Sequence, residues 1–208
     1  MQNVIPYKQF GGALEDLDNG GRFYNIFTKA KDEEVSSVEL AKAAGVFLDK
    51  QKMFLFYEMA VHDLGESDKR DLLDSLSDDL QVTYGEHRPM TLLPSEADSK
   101  GVASKSAILT GYPRFVEDKT VFNGFVLVPI STGKVTTFAM IPIMDRYDIY
   151  ELKDESSSEK TFIANVRGSK RLPVELSRFG GILKETSLDK EGEKKDRLFL
   201  EALYYTQL

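Results

Sequence analysis

The sequence predicts an α+β fold, with a three-helix N-terminal unit packed beside an antiparallel β-barrel-like or sandwich unit. Three observations predict it. Apolar residues recur at helical spacing between residues 36 and 81. Beyond Gly101, β-branched and aromatic residues take over and turn signals divide them into short runs. The charge is also uneven: residues 1–100 hold 11 Lys/Arg against 19 Asp/Glu, a balance of −8, while 101–185 hold 12 against 10. That asymmetry suggests two parts with different surfaces.

The expected organisation is a Gly-rich lead-in with one strand over 1–35, a helical unit over 36–81, a connector over 82–104 and a β-rich unit over 105–208. "FGGALEDLDNGG" makes the start irregular, and "RFYNIFTKA" (22–30) alternates as a strand does. Ser36 and Glu39 have capping-box spacing before a first helix with Leu40, Ala44, Phe47 and Leu48 on one face. In the second helix, Met53, Phe54, Tyr57, Ala60, Val61 and Leu64 form a stripe. Leu55, Phe56 and Met59 widen it, so this helix is buried on most sides. A third helix starts at a Ser67 cap, with Leu72, Leu73, Leu76 and Leu80 inward and Asp71, Asp74 and Asp78 outward. The segment "GEHRPMTLLPSEADSKG" reads as a connection.

Strands are expected at 105–116, 120–130, 135–143, 147–153, 161–167 and 180–188, and a strand is favoured over a helix for "DRLFLEALYYTQL" at the C-terminus. "FVLVPISTGK" (125–134) ends in Gly-Lys and invites a phosphate-loop reading. That reading fails at three places: Pro129 stands where the pattern needs Gly, Val135 follows the Lys, and a strand pattern follows in place of a helix. A hairpin with Thr132-Gly133 at the turn instead pairs Ile130 with Val135, Val128 with Thr137 and Phe125 with Met140. Both faces of that hairpin are apolar, and Pro129 and Pro142 guard it against pairing with other chains. Phe-Gly-Gly-x-Leu occurs at 10–14 and again at 179–183, either as a duplicated edge-strand motif or as chance similarity.

Composition excludes several chemistries. There is no cysteine, hence no disulfide, thiol nucleophile or Cys-ligated metal. Only two histidines exist, His62 and His87, and no G-x-S-x-G elbow accompanies them. Glu58 and His62 lie one helical turn apart and form a weak metal candidate, against the plainer reading of a His placed by the helix dipole. No cofactor fingerprint is present, so no cofactor is expected. No signal peptide or spanning helix is legible, so the expected setting is cytoplasmic, away from membranes.

These exclusions favour a non-catalytic intracellular binding or assembly module acting through protein contacts, a partner protein or self-association. The alternative is OB-like single-stranded nucleic-acid binding by the β-rich unit, where basic residues such as Arg114 and Arg146 interleave with Tyr112, Phe115, Phe122, Tyr147, Tyr150 and Phe162. The densest basic stretch supplies the candidates Arg167, Lys170, Arg171, Arg178 and Phe179. The net charge of −7 weighs against this alternative. An enzyme whose site is assembled only in space is a further alternative.

Overall fold

The structure, a computed structural model, describes residues 1–19, 32–46, 49–131, 136–154, 160–166, 171–172, 174–190 and 193–208; for 117–131, 136–146, 160, 165–166, 186–190 and 193–196 it describes the backbone. The expected strand at 22–30, Phe47, Leu48 and Gly133 lie outside these residues.

The helical half begins earlier than the composition suggests. After a short strand β1 (Gln2–Asn3), helix α1 (Phe10–Leu17) forms across the Gly11-Gly12 pair. Two glycines cost this helix about 1 kcal/mol each relative to Ala. Packing offsets that cost: Ala13 and Leu17 are buried, and Phe10 and Leu14 rest on the same core, the i, i+3, i+4, i+7 stripe of an amphipathic helix. Helix α2 (Ser37–Ala43) has the expected capping box, with Ser36 N–H donating to Glu39 Oε2 at 3.0 Å and Glu39 N–H to Ser36 Oγ at 3.4 Å. Helix α3 (Lys50–Ala60) is capped by Asp49 and buries Met53, Phe54, Leu55, Phe56, Tyr57, Met59 and Ala60, so it is the centre of the helical core.

The expected third helix is two helices. Helix α4 (Glu66–Asp74) is capped at Gly65, not Ser67, and α5 (Asp78–His87) follows it. The break coincides with a backbone bridge to Val35. Val35 N–H donates to Ser75 O at 2.7 Å and Ser77 N–H donates to Val35 O at 3.0 Å. Backbone committed to this bridge cannot continue the helical ladder. Leu72, Leu76 and Leu80 are buried as expected, while Leu73 is half-buried.

The chain then enters the barrel through β2 (Met90–Leu92), a 3-10 turn (Pro94–Glu96) and the single-turn α6 (Ala97–Lys100). This segment is docked, since Ser95 N–H donates to Asp154 Oδ2 at 3.2 Å and Leu198 N–H donates to Asp98 Oδ1 at 2.8 Å. Five long strands follow: β3 (Ser106–Ser131), β4 (Thr136–Lys153), β5 (Lys160–Val166), β6 (Ser177–Lys190) and β7 (Glu193–Gln207). The C-terminal segment is thus a strand. Sequence runs expected as separate strands at 105–116 and 120–130 are one strand, as are 135–143 and 147–153, with bulges where the register shifts, between Phe115 and Glu117 and between Phe122 and Gly124.

Pairing runs β3–β4–β5–β7–β6 and returns from β6 to β3, so five strands close a barrel. All contacts on this circuit are antiparallel except β5–β7, which is parallel. Closure leaves no free edge along the paired region. The interior holds Ala107, Leu109, Tyr150, Leu152, Ile163, Leu172, Phe179, Leu183 and Leu200. The α+β class and the barrel-like unit therefore stand, with one parallel pair in place of a wholly antiparallel sheet.

The hairpin register differs from expectation by two residues. Ser131 pairs with Thr136, Ile130 with Thr137, Val128 with Ala139 and Phe125 with Pro142. Residues 132–135, which join the strands, lie outside the described residues. A shift of two leaves every residue on its expected face, because side chains alternate with period two.

Candidate functional site

Alternation along each strand fixes which residues leave the barrel. Tyr150 and Leu152 point inward, so Tyr147, Ile149, Glu151 and Lys153 share the outer face of β4. By the same parity Phe162 and Ala164 lie outside on β5, Phe199 and Glu201 outside on β7, and Tyr112 and Arg114 outside on β3. Register then brings residues from all five strands into one row: Arg114 pairs with Glu151, Glu151 with Phe162, Phe162 with Phe199, and Phe199 with Lys184 of β6. The row is two cations at its ends, two aromatic rings in its middle and one acid.

The acids sit beneath their cations. Arg114 ion-pairs with Glu151, and the two side chains are 70% and 6% exposed. Lys184 Nζ lies 2.5 Å from Glu201 Oε2, with exposures of 49% and 19%. In each pair the carboxylate is the more shielded partner and the cation the more exposed one. Tyr147 OH donates to Glu201 Oε1 at 3.3 Å, which fixes a third ring on the same face. Tyr112 is exposed and paired across the strands with Lys153. Phe162, Phe199 and Tyr147 are half-buried.

The opposite side of the barrel is taken. Helix α3 lies against β3, β6 and β7. A Cβ added at Gly180 would meet Leu55 Cδ1 at 3.1 Å and Met59 Cγ at 3.3 Å, so the glycine permits the close approach of helix to sheet.

The described members of the basic stretch, Arg171, Arg178 and Phe179, lie in three different settings. Phe179 is fully buried in the barrel interior and offers no face for stacking; its place among strand residues of alternating parity puts it inside. Arg178 is half-buried beneath the helical half: burial pushes its guanidinium below the ordinary value, and the charge of Glu58 on α3 opposes this. Arg171 is exposed and lies over the Phe115 ring, 4.3 Å from its centroid. Arg167 and Lys170 lie outside the described residues.

Glu58 and His62 do not converge on a common point. Glu58 accepts a hydrogen bond from Tyr84 OH and lies 3.3 Å from Arg88 Nε, whereas His62 Nδ1 contacts Asp63 Oδ1 at 2.8 Å. Among the described residues no group of three or more His, Cys, Asp or Glu is placed to hold a metal. No helix among them is long and apolar enough to cross a membrane.

Sequence reading had Tyr112, Arg114, Tyr147 and Phe162 among its interleaved basic and aromatic residues but missed Phe199, Lys184 and the row itself. Strand parity was legible in "YDIYELK" and "TFIAN". The register joining β5 to β7 is a parallel pairing between segments far apart in sequence, for which no local signal exists.

No protein-family model matches the sequence, and no curated protein matches it. Among solved structures the chain is similar to the N-terminal domain of an archaeal MCM, at 8% identity and a TM-score of 0.42, over 95% of this chain and 92% of that one. A likeness of that degree carries nothing about function, which rests on the strand circuit and the outer face.

Proposed function

We propose that this chain is a non-catalytic binding module that holds single-stranded nucleic acid across the outer face of β4, β5 and β7. The observation that carries the reading is the row Arg114–Glu151–Phe162–Phe199–Lys184, two adjacent rings between outward-facing cations. Numbering the barrel strands one to five, the circuit is one–two–three–five–four–one with three and five parallel. That is the circuit of an OB barrel, whose second and third strands and flanking loops bind oligonucleotides. Here β4 and β5 are those strands.

The physical logic is that of sequence-tolerant binding. Each base presents a π-face to an aromatic ring, worth about 1–3 kcal/mol per base, while Lys and Arg follow the phosphates. The net charge of −7 opposes this less than it first suggests, because the acid is segregated: from residue 101 onward there are 16 Lys/Arg against 15 Asp/Glu. A chain without cysteine suits a reducing compartment, which supports an intracellular setting.

The test is a titration of a labelled, unstructured oligonucleotide at several salt concentrations. Phe162→Ala and Phe199→Ala should each weaken binding about tenfold with the salt slope unchanged. Lys153→Ala and Lys184→Ala should each reduce the slope by about 0.7. Arg178→Ala, beneath the helical half, should leave the slope alone. Absence of binding at micromolar protein and low salt overturns the reading and returns preference to a module that acts through protein contacts.

A further inference from the structure

The β3–β4 hairpin runs far past the barrel. Strands β2 and β6 pair with β3 only up to Gly111, and β5 pairs with β4 only from Tyr147 onward. From the Thr120–Arg146 pair to the Ser131–Thr136 pair, β3 and β4 have no other strand partner among the described residues. Phe122–Ser131 and Thr136–Met144 contain no Asp, Glu, Lys or Arg. Register assigns Phe125, Leu127, Pro129, Phe138, Met140 and Pro142 to one face and Val126, Val128, Ile130, Ala139 and Ile141 to the other. Both faces of this two-stranded arm are therefore apolar in composition. An isolated hairpin is marginal in water even with one such face.

We propose that the arm is a self-association element, and that a second copy of this chain covers it face to face. Four observations choose that occupant. The first is area. About ten residues per strand at ~3.4 Å each, and two strands at ~4.8 Å spacing, give roughly 340 Å² per face. Copies stacked on both faces bury about 700 Å² of one arm, near the ~800 Å² a stable interface takes from each partner. The second is charge: an arm with no charged residue between Phe122 and Ser131 or between Thr136 and Met144 has no sign for a charged partner to complement, and does not repel its own copy. The third is the pair Pro129 and Pro142, one on each strand, each lacking a backbone donor. They disfavour open-ended ladder addition along either edge and leave stacking of faces as the mode of contact. The fourth is symmetry. Every copy carries the same two apolar faces, so one stacked pair covers one face of each arm and a further copy can cover the other.

The consequence for the proposed nucleic-acid face is cooperativity. The arm continues β4, one of the strands of that face, so copies joined through it would bind neighbouring stretches of one strand together. Self-association itself does not depend on that function and is measured without nucleic acid.

Sedimentation velocity on the full chain, from nanomolar to tens of micromolar, tests it. The wild type should show a concentration-dependent rise to twice the monomer mass or more. Leu127→Glu and Val128→Glu place a charge on opposite faces, and each should shift that rise to at least tenfold higher concentration while far-UV circular dichroism stays unchanged. A third variant joins Gly124 to Ile143 through Asn-Gly, a two-residue turn that suits a hairpin. It removes most of the arm, and should be monomeric throughout. A wild type that stays monomeric over the whole range overturns the proposal. So does a shortened arm that associates as the wild type does. Monomeric wild type that instead sediments with phosphatidylcholine vesicles overturns it in favour of a lipid surface.

Discussion

At the scale of single residues, the same five-letter motif is built into two unrelated backbones. Phe10-Gly11-Gly12 opens helix α1, and Phe179-Gly180-Gly181 lies in strand β6, so the echo is not a duplicated edge strand. The glycines answer to different needs. At Gly11 and Gly12 an added Cβ meets nothing within 4 Å, whereas at Gly181 it would fall 2.2 Å from Glu201 O and 2.8 Å from the same carbonyl carbon. Backbone of the paired strand cannot move aside as a flexible side chain can, and the register between β6 and β7 already shifts at Gly180/Gly181. Gly181→Ala should therefore destabilise the fold by about 3 kcal/mol through overpacking. Gly11→Ala and Gly12→Ala should each stabilise it by roughly 0.5–1 kcal/mol through helix propensity. Urea midpoints read both. A neutral Gly181→Ala would mean that β6 and β7 do not approach as described.

At the scale of elements, what was legible followed from local pattern, and what was not required distant partners. The stripe of α3 and the Ser36–Glu39 box are properties of consecutive residues, and both stand. The split of α4 from α5 depends on Val35, some forty residues away, and α1 depends on a core that the sequence around Gly11 does not announce. The alternation of β4 and β5 was readable, but nothing local could show that Phe162 meets Phe199. The contacts of α3 and α5 also carry a pH dependence. Burial raises Tyr57 and Tyr84 above the ordinary value, with the Glu58 charge reinforcing both, and raises Tyr7 and Tyr204 to about 12. Unfolded tyrosines ionise near pH 10, where these folded ones still hold their protons. Above that pH the unfolded chain binds fewer protons, so stability falls as pH rises, across about 10 to 12. The melting temperature should be flat in mildly alkaline buffer and decline through that window. Tyrosinate absorbance should rise in two stages, the second coincident with unfolding. A single rise near pH 10, with the fold intact, would contradict the burial of these rings.

At the scale of the molecule, the helical half and the barrel share their packing and cannot come apart cheaply. Ile108 of β3 and Tyr204 of β7 belong to the helical core, and Tyr204 OH donates to Ala44 O at 3.1 Å. The two ends of the chain are also joined. Gln2 pairs with Tyr204 and Asn3 with Tyr205, Val4 N–H donates to Tyr205 O at 2.8 Å, and Thr206 Oγ1 donates to Val4 O at 2.7 Å. This contact closes a loop of 202 residues. Its loop-closure cost grows only with the logarithm of that span, so its absence should show first as weakened cooperation between the halves. Native-state hydrogen exchange reads this directly. Amides of α3, from Phe54 to Met59, and amides of β6, from Phe179 to Leu183, should open with the same free energy and the same denaturant dependence, as members of one cooperative unit. Removing Met1–Ile5 takes away β1 and uncovers the edge of β7 that it occupies. Both groups of amides should then lose protection together. If α3 kept its full protection while β6 lost it, the two halves would be independent folding units, and the shared core at Ile108 and Tyr204 would contribute little to holding them together.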